Sequence, residues 1–449
     1  MALVLAGLGL YLYVIELPQK ESLDRQNTAD KKVLLFDQEA LSGLSIKTDQ
    51  QELVFARTPE RGWVLTSPLS TEADQREVQS LIRALVTGTV ARTVEDHPAN
   101  LTPFGLDNPV TTITVAAGAS RETFSIGDTG PLTSTLYVLR ESDRKVLLTN
   151  LAPKDFVNKT LMTFRRKDLL YLSQGDVDRI RLTYPNTEIV LYQGQERPKS
   201  KWKIRYPIEA EADQTETRAL LFRLEDLKAL GIVDPGPERD ALAKTLAAPK
   251  VKVTVHTVDG DQTVKLYQPD PASGEAFAET SPTGPLYRVN PTAIRDLTKE
   301  LFSFQDKRLL GVDFTDIAIL SVKTSTEQYV LINQQNEWVL EDQPTEKLDQ
   351  QAADLFVSRV ANVPAEERVV KQAGPLAPYG LVTPAAEFVA TRRDGKIAGK
   401  LSIGSHANGL AYAMGQRIPG IFHIRADLLT QIPMKKDLLA ASLEKPPPS

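Results

Sequence analysis

Three tryptophans divide the chain into parallel texts. Trp63, Trp202 and Trp338 lie 139 and 136 residues apart in a sequence of 449. Each stands in a strand-like run, GWVL, KWKI or EWVL, followed by a proline, Pro68, Pro207 or Pro344. Eleven residues after each tryptophan comes an aspartate, Asp74, Asp213 or Asp349. Aspartate is a favoured helix N-cap because its carboxylate accepts bonds from the first free N–H groups. Asp74 with Glu77 and Asp213 with Glu216 have capping-box spacing, while Ala352 stands in that place in the third copy and predicts a weaker cap. Past the aspartate, apolar positions recur with one register: Val78, Leu81, Ile82, Leu85; then Thr217, Leu220, Leu221, Leu224; then Ala353, Phe356, Val357, Val360. That is one face of a helix with 3.6 residues per turn, written three times.

Downstream the parallel continues. FGLDNP at 104–109 and YGLVTP at 379–384 place Gly105 and Gly380 each 42 residues past their tryptophan. Alternating runs typical of half-buried strands follow in each copy: TTITV and ETFSIGD, KVKVTVHTV and QTVKLY, AEFVAT and AGKLSIG. Then comes a hairpin, LYVLR with KVLLTN, AFAET with LYRVN, and AYAMG with IFHIR. A closing helix ends each copy in a shared motif, FRRKDLL at 164–170, FQDKRLL at 304–310 and PMKKDLL at 433–439. The cations Arg165, Arg166, Lys167, Lys307, Arg308, Lys435 and Lys436 suit the negative end of a helix dipole. The Leu-Leu pair is expected to dock the exit onto the next unit. We read the motif as structural in preference to a site for an anionic partner such as lipid phosphate.

A chain this long exceeds a single core, which stops growing near roughly 250–300 residues. The expected architecture is α+β: three tandem repeats of a mainly antiparallel sheet plus two helices, after a short N-terminal membrane helix. The boundaries are 1–15 for a membrane anchor or signal segment, 16–32 for a polar spacer, 33–170, 171–310 and 311–439 for the repeats, and 440–449 for a disordered tail. The first segment, MALVLAGLGLYLYVI, carries no charge. As a helix it spans roughly 22 Å, short of the roughly 30 Å hydrocarbon core. We read it as an uncleaved anchor, over a cleaved signal or a buried helix, because Tyr11 and Tyr13 suit an interfacial belt. A tail this short stays most simply in the cytoplasm, leaving the rest outside the inner membrane.

The unit with Trp, Pro and a capped helix, then FGLDNP, a strand ending IGD and the hairpin LYVLR, resembles the bacterial family known as domain of unknown function 4340. The likeness covers the first and third units. The second departs from it, with LAKTLAAP in place of the Gly-Leu step and LYQPD in place of IGD. The resemblance implies an N-terminal anchor and an association with ABC transporter components of the gliding-motility auxiliary type. It carries over no catalytic residue.

Chemistry is sparse. The sequence has no cysteine, which removes thiolate nucleophiles and Cys-bearing metal sites. The histidines are His97, His256, His406 and His423, with no pair at ligand spacing and no HExxH. GxSxG, Walker and GxGxxG patterns are missing, and the net charge of −5 argues against a nucleic-acid footprint. Asp107 in GLDNP and Asp128 in IGD read as turn residues, and the third copy has Val382 and Ser405 in their places. VDGDQ at 258–262 reads as a hairpin turn rather than a calcium loop. The tryptophans read as core residues packed on the following helix rather than a stacking platform.

No catalytic, cofactor-binding or metal-ligating residue is assigned. The expected function is a non-enzymatic, membrane-anchored accessory or scaffold protein of the cell envelope, held in the inner membrane by residues 1–15. It binds a protein partner, with ABC transporter components in view, and no nucleic acid. The alternative is a hydrolase or binding protein for polysaccharide or lipid, with a cleft between repeats lined by carboxylates that only folding brings together.

Overall fold

The period-two pattern is realised side chain by side chain. In β1 (Gly43–Lys47) Leu44 and Ile46 are buried and Lys47 is exposed, as a half-covered strand requires. The structure is a computed structural model describing residues 31–439 apart from 133, 174, 194–200 and 373. The chain forms two compact units, Met1–Leu169 with Leu227–Asp240 and Thr283–Asn290, and Leu170–Asp226 with Ala241–Pro282 and Pro291–Ser449.

β1 continues as a meander through β2 (Glu52–Thr58), β3 (Gly62–Ser67) and β4 (Thr71–Glu72), followed by α1 (Gln75–Thr87). Then come β5 (Val90–Asp96), β6 (Thr111–Ala117), β7 (Ser120–Thr129), β8 (Leu136–Arg140), β9 (Lys145–Thr149) and the one-turn α2 (Leu161–Phe164). The hydrogen-bonded order is β4-β3-β2-β1-β6-β7-β8-β9-β5. The second meander is thus inserted beside β1, and the strand leaving the helix becomes the far edge.

The same order recurs with β10 (Val177–Thr183), β11 (Glu188–Tyr192), β12 (Lys203–Tyr206), β13 (Ala210–Glu211), α3 (Gln214–Glu225), β14 (Gly231–Val233), α4 (Pro237–Ala243), β15 (Val251–Thr257), β16 (Gly260–Tyr267), β17 (Ala276–Glu279), β18 (Leu286–Val289), α5 (Thr292–Leu297) and α6 (Leu301–Phe304). Its sheet reads β13-β12-β11-β10-β15-β16-β17-β18-β14. The third set is β19 (Ile319–Thr324), β20 (Gln328–Gln334), β21 (Glu337–Leu340), α7 (Gln350–Ala361), β22 (Glu367–Val370), β23 (Ala386–Thr391), β24 (Ile397–Ala407), β25 (Leu410–Gly415), β26 (Ile421–Arg425) and α8 (Asp427–Thr430). Its order, β21-β20-β19-β23-β24-β25-β26-β22, lacks only the two-residue outer strand. The protein is therefore α+β, with three mostly antiparallel sheets. The predicted N-terminal membrane helix lies outside the described residues; among those, no helix is long and apolar enough to cross a membrane.

Each long helix covers one face of its sheet with the predicted stripe. Val78, Leu81, Ile82 and Leu85 are buried against Ile46, Phe55, Ile113 and Phe124, each such side chain contributing about 1.5–3 kcal/mol. Thr217 is equally buried in α3. Its hydroxyl donates to the Asp213 carbonyl at 2.8 Å, so a polar residue holds an apolar place with its donor satisfied.

The caps form, but the capping box does not close. The Asp74 carboxylate accepts from the N–H groups of Arg76 and Glu77, and Asp213 from those of Thr215 and Glu216. Asp349 accepts from Ala352 alone, the weaker cap expected. Closing the box would need the glutamate to accept from the aspartate N–H. Those N–H groups are already bound, to the carbonyls of Phe164, Phe304 and Leu438 at 2.7, 2.8 and 2.9 Å.

These bonds also correct the motif. Asp74 and Asp213 meet the first letter of FRRKDLL and FQDKRLL, whereas Asp349 meets Leu438, the sixth letter of PMKKDLL. Phe164, Phe304 and Leu438 occupy one buried place, so the third copy is displaced by five residues and its lettering matches by coincidence. The single closing helix is also corrected: α5 and α6, or α2 with the 3-10 turn Pro153–Asp155, are separate short turns. The exit itself docks as expected. Leu309 and Leu310 are fully buried in the core that contains Trp338, and the Leu309 N–H donates to the Val363 carbonyl at 3.0 Å.

Candidate functional site

All three tryptophans are buried, at 4, 5 and 1 % exposure. A residue not singled out in the sequence holds each of them: the glutamine directly after the N-cap aspartate. Gln75 Oε1 accepts from the Trp63 N–H at 2.8 Å while its Nε2 donates to the Trp63 carbonyl at 2.7 Å. Gln214 brackets Trp202 in the same way, at 2.9 and 2.9 Å, and Gln350 brackets Trp338, at 2.7 and 3.0 Å. A side-chain amide offers one acceptor and two donors, so it can replace a missing neighbouring strand. Asp, Gln and Trp thus form a structural clasp.

Gly105 and Gly380 both adopt left-handed backbone, with φ of 65 and 68°, which favours glycine. Asp128 lies against Gly105: a Cβ there would meet its carboxylate at 2.5 Å. In the third copy Ser405 packs on Gly380 instead. Asp107 accepts a long bond from the Thr102 hydroxyl, at 3.4 Å. His256 Nδ1 lies 2.6 Å from Asp261 across a hairpin, and His423 Nδ1 lies 3.4 Å from Glu367. Among the described residues, no group of three or more His, Asp or Glu side chains is arranged to hold a metal ion.

A groove of about 1000 Å³ lies in the second unit, lined by residues of the second and third repeats. The exit motif contributes Asp306, Lys307 and Arg308 to its charges. Arg308 donates to Asp306 through Nε and Nη2 at 3.0 and 2.6 Å, and to Asp313 through Nη1 at 2.6 Å. Lys201 donates to the other Asp313 oxygen at 3.0 Å. Arg417 lies 3.7 Å from Asp306 and donates to the Gly311 carbonyl. The bonds from Arg308 and Lys201 hold the Asp313 carboxyl down to about 2, and the Asp306 hydrogen bond pushes the Arg308 guanidinium above its ordinary value.

Such a network stabilises ions and restrains proton transfer. A carboxylic acid that donates protons near neutral pH needs a raised pKa, whereas that of Asp313 is lowered. The network also predicts an acid response. The folded pKa of Asp313 is depressed, so its contribution is complete above about pH 4 and fades as pH falls through about 2. Asp313→Asn is expected to flatten the pH dependence of unfolding in that window and leave its slope above pH 5 unchanged. A variant that follows the parent's acid-unfolding curve contradicts the assignment.

No curated protein matches the chain. Two overlapping stretches, 63–249 and 237–369, match one family model, described as "Domain of unknown function (DUF4340)". Together they take in all three tryptophans and well over half the sequence, and on that ground the chain belongs to the DUF4340 family.

Proposed function

We propose that this chain is a non-enzymatic, membrane-anchored scaffold of the bacterial cell envelope, docking a protein partner associated with an ABC-type transporter. One observation carries the reading. The residues that the three copies share are consumed in clasps, caps and cores, and the groove carboxylates Asp306 and Asp313 are held as ion pairs by Arg308, Lys201 and Arg417. The anchor, residues 1–15, comes from the uncharged run in the sequence, and the transporter association from what the family resemblance implies. The hydrolase alternative needs one carboxyl poised as an acid opposite a second carboxylate; Asp306 and Asp313 instead share Arg308.

The test is crosslinking of the full chain in native membranes, then purification in mild detergent. Recovery in the membrane fraction with a transporter subunit is the expected result. Repeated recovery of the chain alone, or its release by an alkaline wash, would count against the proposal.

A further inference from the structure

On the outward face of the second sheet, two places on the central strand carry arginine where the first and third sheets carry none. Strand register defines the comparison. Gly43 pairs with Ala56 and Ala116, Arg179 with Tyr192 and His256, and Ile319 with Ile332 and Thr391, so these three hold one place on the central strand. By the same pairings Ser45, Arg181 and Ser321 hold the next outward place. Two repeats build this fold with Gly and Ser or Ile and Ser there. Folding therefore does not call for arginine at either position.

Arg205 on β12 completes a cluster. With Arg179, Arg181, Glu188, Val190 and Tyr206 it lines a groove of about 540 Å³. Arg181 is committed, donating to Glu188 at 2.9 Å. Arg179 and Arg205 are exposed, and among the described residues neither side chain has a carboxylate partner; Arg205 lies over the Tyr192 ring at 5.7 Å. They stand on strands separated by β11, so the two free guanidiniums flank a floor that contains the buried Val190. Three arginines against one glutamate leave the groove with a net charge of +2.

We propose that this groove docks an extended acidic segment of a protein partner, with carboxylates of that segment taking Arg179 and Arg205. A guanidinium presents a planar fork that matches a carboxylate in bidentate fashion, and a recess between strand ridges admits a peptide. A flat anionic bilayer would also meet the side chain of Asp261 on the same face, 62 % exposed. The inference rests on the scaffold reading above and names the chemistry by which a partner is recognised.

The test uses a fluorescein-labelled hexaglutamate peptide, followed by anisotropy against the full chain, beside vesicles of phosphatidylglycerol alone. The peptide is expected to bind the parent, more weakly as salt rises, and Arg179→Ala with Arg205→Ala to weaken binding roughly tenfold. Both side chains are exposed, so the double variant should keep the parent's melting curve. Equal peptide affinity in parent and variant overturns the proposal, as does a parent that binds the vesicles and not the peptide. A double variant that crosslinks in membranes to the same transporter subunit as the parent also overturns it, while leaving the scaffold reading standing.

Discussion

Gly404→Ala is expected to destabilise the third repeat severely, by about 1–3 kcal/mol or more. A Cβ built on Gly404 would lie 2.1 Å from the Tyr379 carbonyl oxygen and within 3.1 Å of the Gly380 backbone. Its neighbours there are backbone atoms, not the flexible end of a side chain, so relief requires moving the turn itself. That turn is already fixed by the left-handed Gly380. Gly374→Ala, where an added Cβ meets nothing within 4 Å, should change stability little. Thermal unfolding followed by circular dichroism checks the pair. A Gly404→Ala chain that melts with its parent contradicts the close approach.

The same geometry explains why two separate sequence signals travel together. In the first repeat a Cβ on Gly127 would lie 2.2 Å from the Phe104 carbonyl, so FGL and IG are two halves of one contact. The second repeat loses both halves. Register places Tyr267 where Gly127 and Gly404 stand, and α4 stands in place of the Gly-Leu turn. Tyr267 is buried and its hydroxyl donates to Glu279 at 3.0 Å. The departure of the second unit, seen in the sequence as two unrelated losses, is therefore one repacking.

What could be read in the letters follows from how locally each feature is encoded. The α1, α3 and α7 stripes and their N-cap aspartates were legible, because periodicity and capping act within a few residues. The glutamine clasps escaped notice although Asp-Gln occurs in all three copies. Their partner is the backbone of Trp, which has no sequence signature. The edge strands β5, β14 and β22 were missed as well. β5 is largely exposed, and an edge strand without an apolar face lacks the alternation that marks the others.

The exit motif shows the reverse error, where similar letters suggested more equivalence than the fold contains. Arg166 and Asp168 form a pair at 3.4 Å, and the corresponding places in the second copy hold Asp306 and Arg308, paired at 2.6 Å with the signs exchanged. An ion pair survives exchange of its partners, so the contact persists where the letters differ. The third copy preserves letters and loses the register. The cations do suit helix ends in part, since Lys167 donates to the Thr163 carbonyl at 2.9 Å. Their larger role is ionic: Arg165 forks onto Asp234 at 2.8 and 2.9 Å, and Arg166 reaches Glu72 at 2.7 Å. A cleft between repeats was expected only as the alternative, and its residues were not legible, because Lys201, Asp306 and Asp313 are brought together only by folding.

The central claim is that one unit is written three times around a tryptophan held in one environment. Chemical denaturation of the full chain, with Trp63→Ala, Trp202→Ala and Trp338→Ala made separately, tests it most directly. Each tryptophan is at most 5 % exposed, with its backbone clasped by its glutamine. Each substitution should therefore cost about 3–5 kcal/mol in the transition of its own compact unit. Losses of similar size at all three positions are the predicted result, and one tryptophan replaced as harmlessly as a surface residue would contradict the account.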